Sequence, residues 1–164
     1  MNRVLVAALI SGLGLSGCAI GMPMRGEVFD AADGEALDRA PVLVVVTEAT
    51  LVSDRALRRD FWDHVGRIAA TLDDAPGCLG HSRSRTLGGS KAWTLTVWAD
   101  RESLERFMYA GPHAAAMREA TDALADFRSV SRVVDQSGLP TSWNQARAWL
   151  ERPAAAPTAT GGAP

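Results

Sequence analysis

Cys78-Leu-Gly-His-Ser-Arg-Ser-Arg-Thr86 and Lys91-Ala-Trp-Thr-Leu-Thr-Val-Trp-Ala99, joined by Leu87-Gly-Gly-Ser90, decide the fold. Both stretches have the length and alternation of strands, and the Gly-Gly pair supplies a tight reversal, so the unit reads as a β-hairpin. Toward the N-terminus, Leu57, Phe61, Val65, Ile68 and Leu72 recur in steps of three and four within Asp54–Leu72. Arg58, Arg59, Asp63 and Arg67 fall on the other side, which makes one amphipathic helix. Asp73-Asp74-Ala75-Pro76-Gly77 stops it. Ahead of it, Val42 to Ala49 is apolar on both faces, the pattern of a central strand. Toward the C-terminus, Asp100 suits the cap of a helix over Arg101–Tyr109. Gly111-Pro112 interrupts that helix and starts a second segment, because proline suits a first helical position. Phe127 to Asp135 alternates as a last strand, and Ser142 to Leu150 is a short closing helix.

The order β-α-β-β-α-β predicts an α+β fold, a ferredoxin-like antiparallel sheet with the first and third strands central. Along the hairpin, Trp93, Leu95, Val97 and Ala99 are expected under the helices, and Thr94, Thr96 and Trp98 on the opposite, open face. On the preceding strand Leu79, His81, Arg83 and Arg85 share one face and Gly80, Ser82 and Ser84 the other, and either set suits the interior. Core packing is the plainer alternative for Trp98, and an exposed strand face for His81, Arg83 and Arg85. Four strands with helices on one face leave the other uncovered, and such a face is either polar and hydrated or buried against a partner. A homodimer is therefore expected.

Composition bounds the partners. The chain has 164 residues, 17 basic and 19 acidic, for a formal net charge of −2. It has no positive surplus to neutralise phosphate, so nucleic acid is disfavoured. Two cysteines, Cys18 and Cys78, are too few for a disulfide framework or a cysteine zinc site. P-loop, G-x-S-x-G and H-E-x-x-H patterns are all missing, and the G-x-G-x-x-G at Gly12–Gly17 follows no strand, against nucleotide, hydrolase and zinc-protease readings. Met1 to Gly17 has one charge, Arg3, then the apolar run Val4–Ile10 and small residues. That run is shorter than the about 20 apolar residues of a membrane span and has the order of a secretory signal. Ala19 to Ala40, rich in Gly, Asp and Ala, reads as a tether. Residues 41–151 are expected as the folded domain and 152–164 as a disordered tail.

His113 carries the best chemical argument. It stands four residues before Met117, seven before Ala120 and eleven before Leu124, on one helical stripe, in the first turn after Pro112. The helix dipole there disfavours an imidazolium, so the ring is expected neutral. A neutral imidazole can bind a haem iron, donate a hydrogen bond to a substrate carbonyl, or accept a proton. The plainer alternative is a structural histidine bonded to a nearby backbone carbonyl. His64, near Trp62 on the long helix, and Cys78, at a strand start, read as structural.

Two resemblances extend this reading. Leu15-Ser16-Gly17-Cys18 resembles the bacterial lipoprotein signal, in which the cysteine is acylated and becomes the mature N-terminus. Ala19 after it resembles outer-membrane sorting, which implies a lipid anchor at Cys18 and a place in the cell envelope. The alternatives are a plain cleaved signal, or a true start at Met22 or Met24 in a cytoplasmic protein. Pro76-Gly77-Cys78-Leu79-Gly80, Ala92 through Asp100, Leu104 through Phe107 to Gly111-Pro112-His113 and Met117, and Leu139-Pro140-Thr141-Ser142-Trp143 together carry the second resemblance. They are similar to the dimeric α/β-barrel superfamily, near the antibiotic-biosynthesis and spheroidene monooxygenase-like proteins. The resemblance implies paired sheets and an oxidoreductase-type pocket for a small apolar molecule, with or without haem. It implies Trp98 and His113 as catalytic residues, His113 as the cofactor ligand, and Thr94, Thr96, Trp98, Phe107 and Met117 as pocket lining. No metal site apart from haem is implied. Cofactor-free members often use an asparagine on or near the first strand, where this chain has Thr47 and Glu48. A non-catalytic, envelope-tethered binding or structural lipoprotein is the alternative function.

Overall fold

The computed structural model describes residues 19–30 and 40–151. The signal over 1–17, the lipidation position Cys18, much of the expected tether and the tail over 152–164 lie outside the described residues. Ten elements of regular structure are used below: β1 (Ala19–Gly21), α1 (Glu27–Asp30), β2 (Val42–Leu51), α2 (Arg55–Ala69), β3 (Cys78–Thr86), β4 (Lys91–Trp98), α3 (Arg101–Met108), α4 (Gly111–Glu119), β5 (Leu124–Val134) and α5 (Trp143–Glu151). All strand pairings are antiparallel, in the order β1-β3-β4-β2-β5. Without β1 this is the ferredoxin-like order, and β2 and β4 are central as their apolar runs require. The Asp54 carboxylate accepts from the Ala56 and Leu57 amides at the start of α2, and Asp100 accepts from the Ser103 amide at the start of α3.

Cover of the sheet differs from the expected plan in three respects. First, both faces are covered. Val42, Val44, Val46, Leu95 and Val97 form one buried cluster with Val28 of α1 and Leu139 and Ala146 at and within the C-terminal segment. Trp143, Trp149 and Leu150 of α5 pack on the same cluster. The face expected to need a twin copy is thus covered by α5 and α1 of the same chain. Second, the hairpin is turned over. Trp98 and Leu43, not Leu95 and Val97, face the layer of α2 and α3, where they meet Leu72, Leu104 and Phe107. The Thr94 and Thr96 face lies beneath that layer because its hydroxyls find partners within the sheet. Thr47 Oγ1 and Thr94 Oγ1 are 2.7 Å apart, and Trp98 Nε1 donates to Thr96 Oγ1 at 2.8 Å. Third, a register shift between Cys78 and Gly80 sets Leu79 against the α5-side cluster rather than beside His81.

Residues 19–30, expected as tether, join the sheet. β1 pairs with β3 from Ala19↔Thr86 to Gly21↔Ser84, and Arg25 bridges His81. Gly80 makes this approach possible: Phe29 Cε2 and Val28 Cγ2 would lie 2.7 and 2.9 Å from a Cβ there. The stripe drawn from His113 to Leu124 also breaks. A 3₁₀ turn at Thr121–Ala123 ends the helical run, Leu124 begins β5, and Met117 is 51% exposed. Among the described residues no helix is long and apolar enough to cross a membrane.

Candidate functional site

The helical layer leaves a half-buried patch in the middle of the sheet. Val45 and Thr47 of β2 and Thr94 and Thr96 of β4 are half-buried, whereas Val44, Val46, Leu95 and Val97 on the opposite face are fully buried. α4 packs against α2 and α3 and has no buried residue of its own. Its short, alanine-rich sequence offers little to press into the sheet. This face of the sheet presents two paired hydroxyls, Thr47 and Thr94, beside Val45 and the Thr96–Trp98 pair.

One wall is a run of three rings. Trp98 is fully buried, Phe107 lies 5.1 Å from it between centroids, and His113 lies 5.5 Å from Phe107. The structure links Thr96, Trp98, Phe107 and His113 as a chain of neighbours, with Trp98 as core rather than an open surface. Met117, one turn beyond His113, is exposed. Thr94 lines a cavity on the other side, described below.

His113 Nδ1 lies 3.1 Å from the Met108 carbonyl oxygen. A carbonyl only accepts, so Nδ1 holds the proton and Nε2 of the neutral ring holds a lone pair. Among the described residues Nε2 has no hydrogen-bond partner. Burial lowers the pKa of this imidazole below its ordinary value, against the opposing pull of the Met108 carbonyl. Of the three roles expected for His113, donation to a substrate carbonyl needs a proton that Nε2 lacks. Proton acceptance and metal ligation keep the required lone pair.

Two cavities line the edge of the sheet under α2, about 250 and 340 Å³. The smaller is lined by Met22, Gly66, His81 and Arg83 among others, the larger by Trp62, Gly66, Arg85 and Thr94 among others. His113 lines neither of them. Among the described residues no group of three or more His, Cys, Asp or Glu is placed to hold a metal ion. Cys78 is no activated nucleophile, since burial pushes its thiol up to about 11. His64 is buried on α2, with Nε2 3.6 Å from Glu119 of α4.

A charged cluster under α5 escaped the sequence reading. Glu48 stands directly opposite Trp93 on one side and Arg128 on the other. Its carboxylate accepts from Trp93 Nε1 at 2.6 Å, from Lys91 Nζ at 3.1 Å and from Arg128 Nη2. Burial alone would raise this carboxyl, but the Arg128, Trp93 and Lys91 hydrogen bonds outweigh it and hold the pKa below the ordinary value. Arg147 of α5 stacks 4.1 Å over Trp93 and donates to Ser84 Oγ. The one available signal was a lone glutamate inside an otherwise apolar strand run.

The comparisons agree with this fold. The family model for antibiotic biosynthesis monooxygenase matches residues 43–119, just under half of the chain. No curated protein matches the sequence. Among solved structures, a candidate monooxygenase of Fusobacterium nucleatum aligns at 16% identity and a TM-score of 0.52, over 58% of this chain and 43% of that one. The chain thus spans less than half of that protein's length. A Pseudomonas aeruginosa protein aligns at 14% identity and a TM-score of 0.51, over 57% of this chain and 94% of its own. A conserved protein of Methanosarcina mazei aligns at 12% identity and a TM-score of 0.50, over 57% and 93%. At these identities the likeness shows the fold.

Proposed function

We propose that this chain is a monooxygenase-like protein that holds a small, largely apolar molecule between α4 and the Thr47–Thr94–Thr96 floor. The observation that carries it is the His113 ring, neutral and pinned through Nδ1 so that Nε2 is an acceptor. The preferred ligand therefore carries a hydroxyl, phenolic or enolic, that donates to Nε2 while its apolar body lies on Phe107 and Val45. With a sufficiently acidic hydroxyl, acceptance of its proton by Nε2 is the step these residues supply to an oxidation. The missing first-strand asparagine of cofactor-free relatives leaves that step to His113 alone. The test is calorimetric titration with 1-naphthol and its methyl ether, together with oxygen uptake on a hydroxylated anthrone. The expected result is naphthol binding about tenfold tighter than the ether, with the difference abolished by His113→Phe. Equal affinity for the two ligands would overturn this reading. Binding without oxygen uptake would leave a binding protein rather than an enzyme.

Self-association is also proposed, on a different ground from a bare sheet face. β5 is an edge strand of 11 residues, and Phe127 and Val133 on its helix-side face are 55% and 69% exposed. Long edges with exposed apolar residues favour pairing with another copy. A lipid anchor on Cys18 is proposed as well, supported by the Leu15–Cys18 pattern. Since Ala19 already belongs to β1, such a lipid would sit at the β3 side of the sheet with no tether between. Mass spectrometry of the chain from bacterial envelopes tests it: an acylated Cys18 is expected, and an unmodified cysteine or a start at Met22 or Met24 would exclude it.

A further inference from the structure

The two cavities under α2 meet along Met22, Gly66 and Arg83, and form one groove between that helix and the β1–β3 edge. Its lining is apolar where it is deep, with Trp62, Val65 and Ala92, and Ile20 and Met22 lie 50% and 40% exposed at its lip. Its mouth is basic. Arg83 and Arg85 stand two residues apart on the same face of β3, both exposed, and neither has a carboxylate partner among the described residues. Arg85 lies 5.5 Å over the Trp62 ring. The only carboxylate in the lining, Asp73, is at the far end, bonded to His81 Nε2 at 2.8 Å.

Gly66 lines both parts of the groove. A glycine inside a helix costs about 1 kcal/mol relative to alanine, and such a cost is usually offset by a close neighbour. At Gly66 there is none: a Cβ would meet nothing within 4 Å. A larger side chain at this exposed position has open space beside the groove to enter.

We infer that this groove is a binding site for an amphipathic monocarboxylate, a medium-chain fatty acid in chemical class. The alkyl chain lies along Trp62, Val65 and the lip formed by Ile20 and Met22, past Gly66. The carboxylate meets Arg83 and Arg85, which offer charge-assisted hydrogen bonds with no competing acid nearby. The site is separate from the His113 pocket and shares only Thr94 with it.

The test is calorimetric titration of the full chain carrying Cys18→Ala, which keeps acyl modification out, with decanoate and with decanol. Decanoate is expected to bind one to one, and decanol at least tenfold more weakly. Arg83→Ala with Arg85→Ala should erase that difference. Gly66→Leu should reduce decanoate affinity at least tenfold while raising Tm, two opposite movements that a misfolded variant does not give. Should Gly66→Leu not fold, Gly66→Met is the second variant, with the same expectation. His113→Phe should leave decanoate binding unchanged, so failure here and failure of the His113 reading are separable. Equal binding of decanol, unchanged affinity in the Gly66 variants, or loss of decanoate binding in His113→Phe would overturn the inference.

Discussion

The Nδ1 of His113 and the carbonyl oxygen of Met108, 3.1 Å apart, join the start of α4 to the end of α3 across the turn at Gly111. This hydrogen bond does two things at once. It fixes the tautomer, and it satisfies a carbonyl in the last turn of α3 that has no partner further along that helix. A histidine that looks merely structural by its Nδ1 bond is thereby a prepared acceptor at Nε2.

Trp98 anchors the wall behind that ring. It is fully buried among Leu43, Leu72, Leu104 and Phe107, and its Nε1 is bonded to Thr96. Trp98→Ala should cost about 3–5 kcal/mol in chemical denaturation, as for other large-to-small changes in a packed core. A cost below about 1 kcal/mol would mean that Trp98 is not packed as described.

Glu48 gives the fold an acid-side limit. Its folded pKa is below the ordinary carboxylate value of 4.5. The stability it contributes is therefore complete above that value and is lost as pH falls through the folded pKa. Glu48→Gln should cost about 1–3 kcal/mol at pH 7, mainly from the weakened hold on Trp93 Nε1 and the two cations. The variant should also show a flatter fall in Tm between pH 5 and about pH 3 than the parent chain. Parallel Tm curves would contradict the cluster.

Removal of α5 should uncover Val44, Val46, Leu95 and Val97, a contiguous apolar face. A chain ended at Gly138 is expected to aggregate or to sediment as a larger species than the full chain. A well-behaved monomer would show that α5 is not the cover.

The proposed edge pairing has its own readout. The full chain should sediment as a dimer at micromolar concentration, and Val133→Lys as a monomer with unchanged secondary structure. A full-chain monomer would remove the proposal.

Much of the fold was legible because period and punctuation agree. The apolar run at Val42–Ala49, the Gly88-Gly89 reversal and the Asp54 and Asp100 caps each bear on one local choice, and each element lies where these signals put it to within a few residues. What local pattern could not carry was the partner of each face. A strand alternating Leu95 and Val97 with Thr94 and Thr96 says which residues go together, not which layer covers them. That was settled by α5, a nine-residue helix far along the chain. The edge role of residues 19–30 was hidden for the same reason: glycines at 21 and 26 look like linker composition until their close approach to Trp143 and Gly80 is seen. At the candidate site, His113, Phe107 and Trp98 were singled out through spacing and resemblance, and the structure lines their rings up in one run. The Glu48 cluster was not, because its members lie on three different strands, β2, β4 and β5.

The most direct test of the central claim is a long-range proton–nitrogen NMR spectrum of the histidine rings of the full chain, recorded from pH 7.5 downward with and without 1-naphthol. His113 is expected neutral with its proton on Nδ1, titrating below the ordinary 6.5, and its Nε2 resonance should shift when naphthol is added. A proton found on Nε2, a ring already charged at pH 7, or an Nε2 signal indifferent to bound naphthol would contradict the role assigned to this residue.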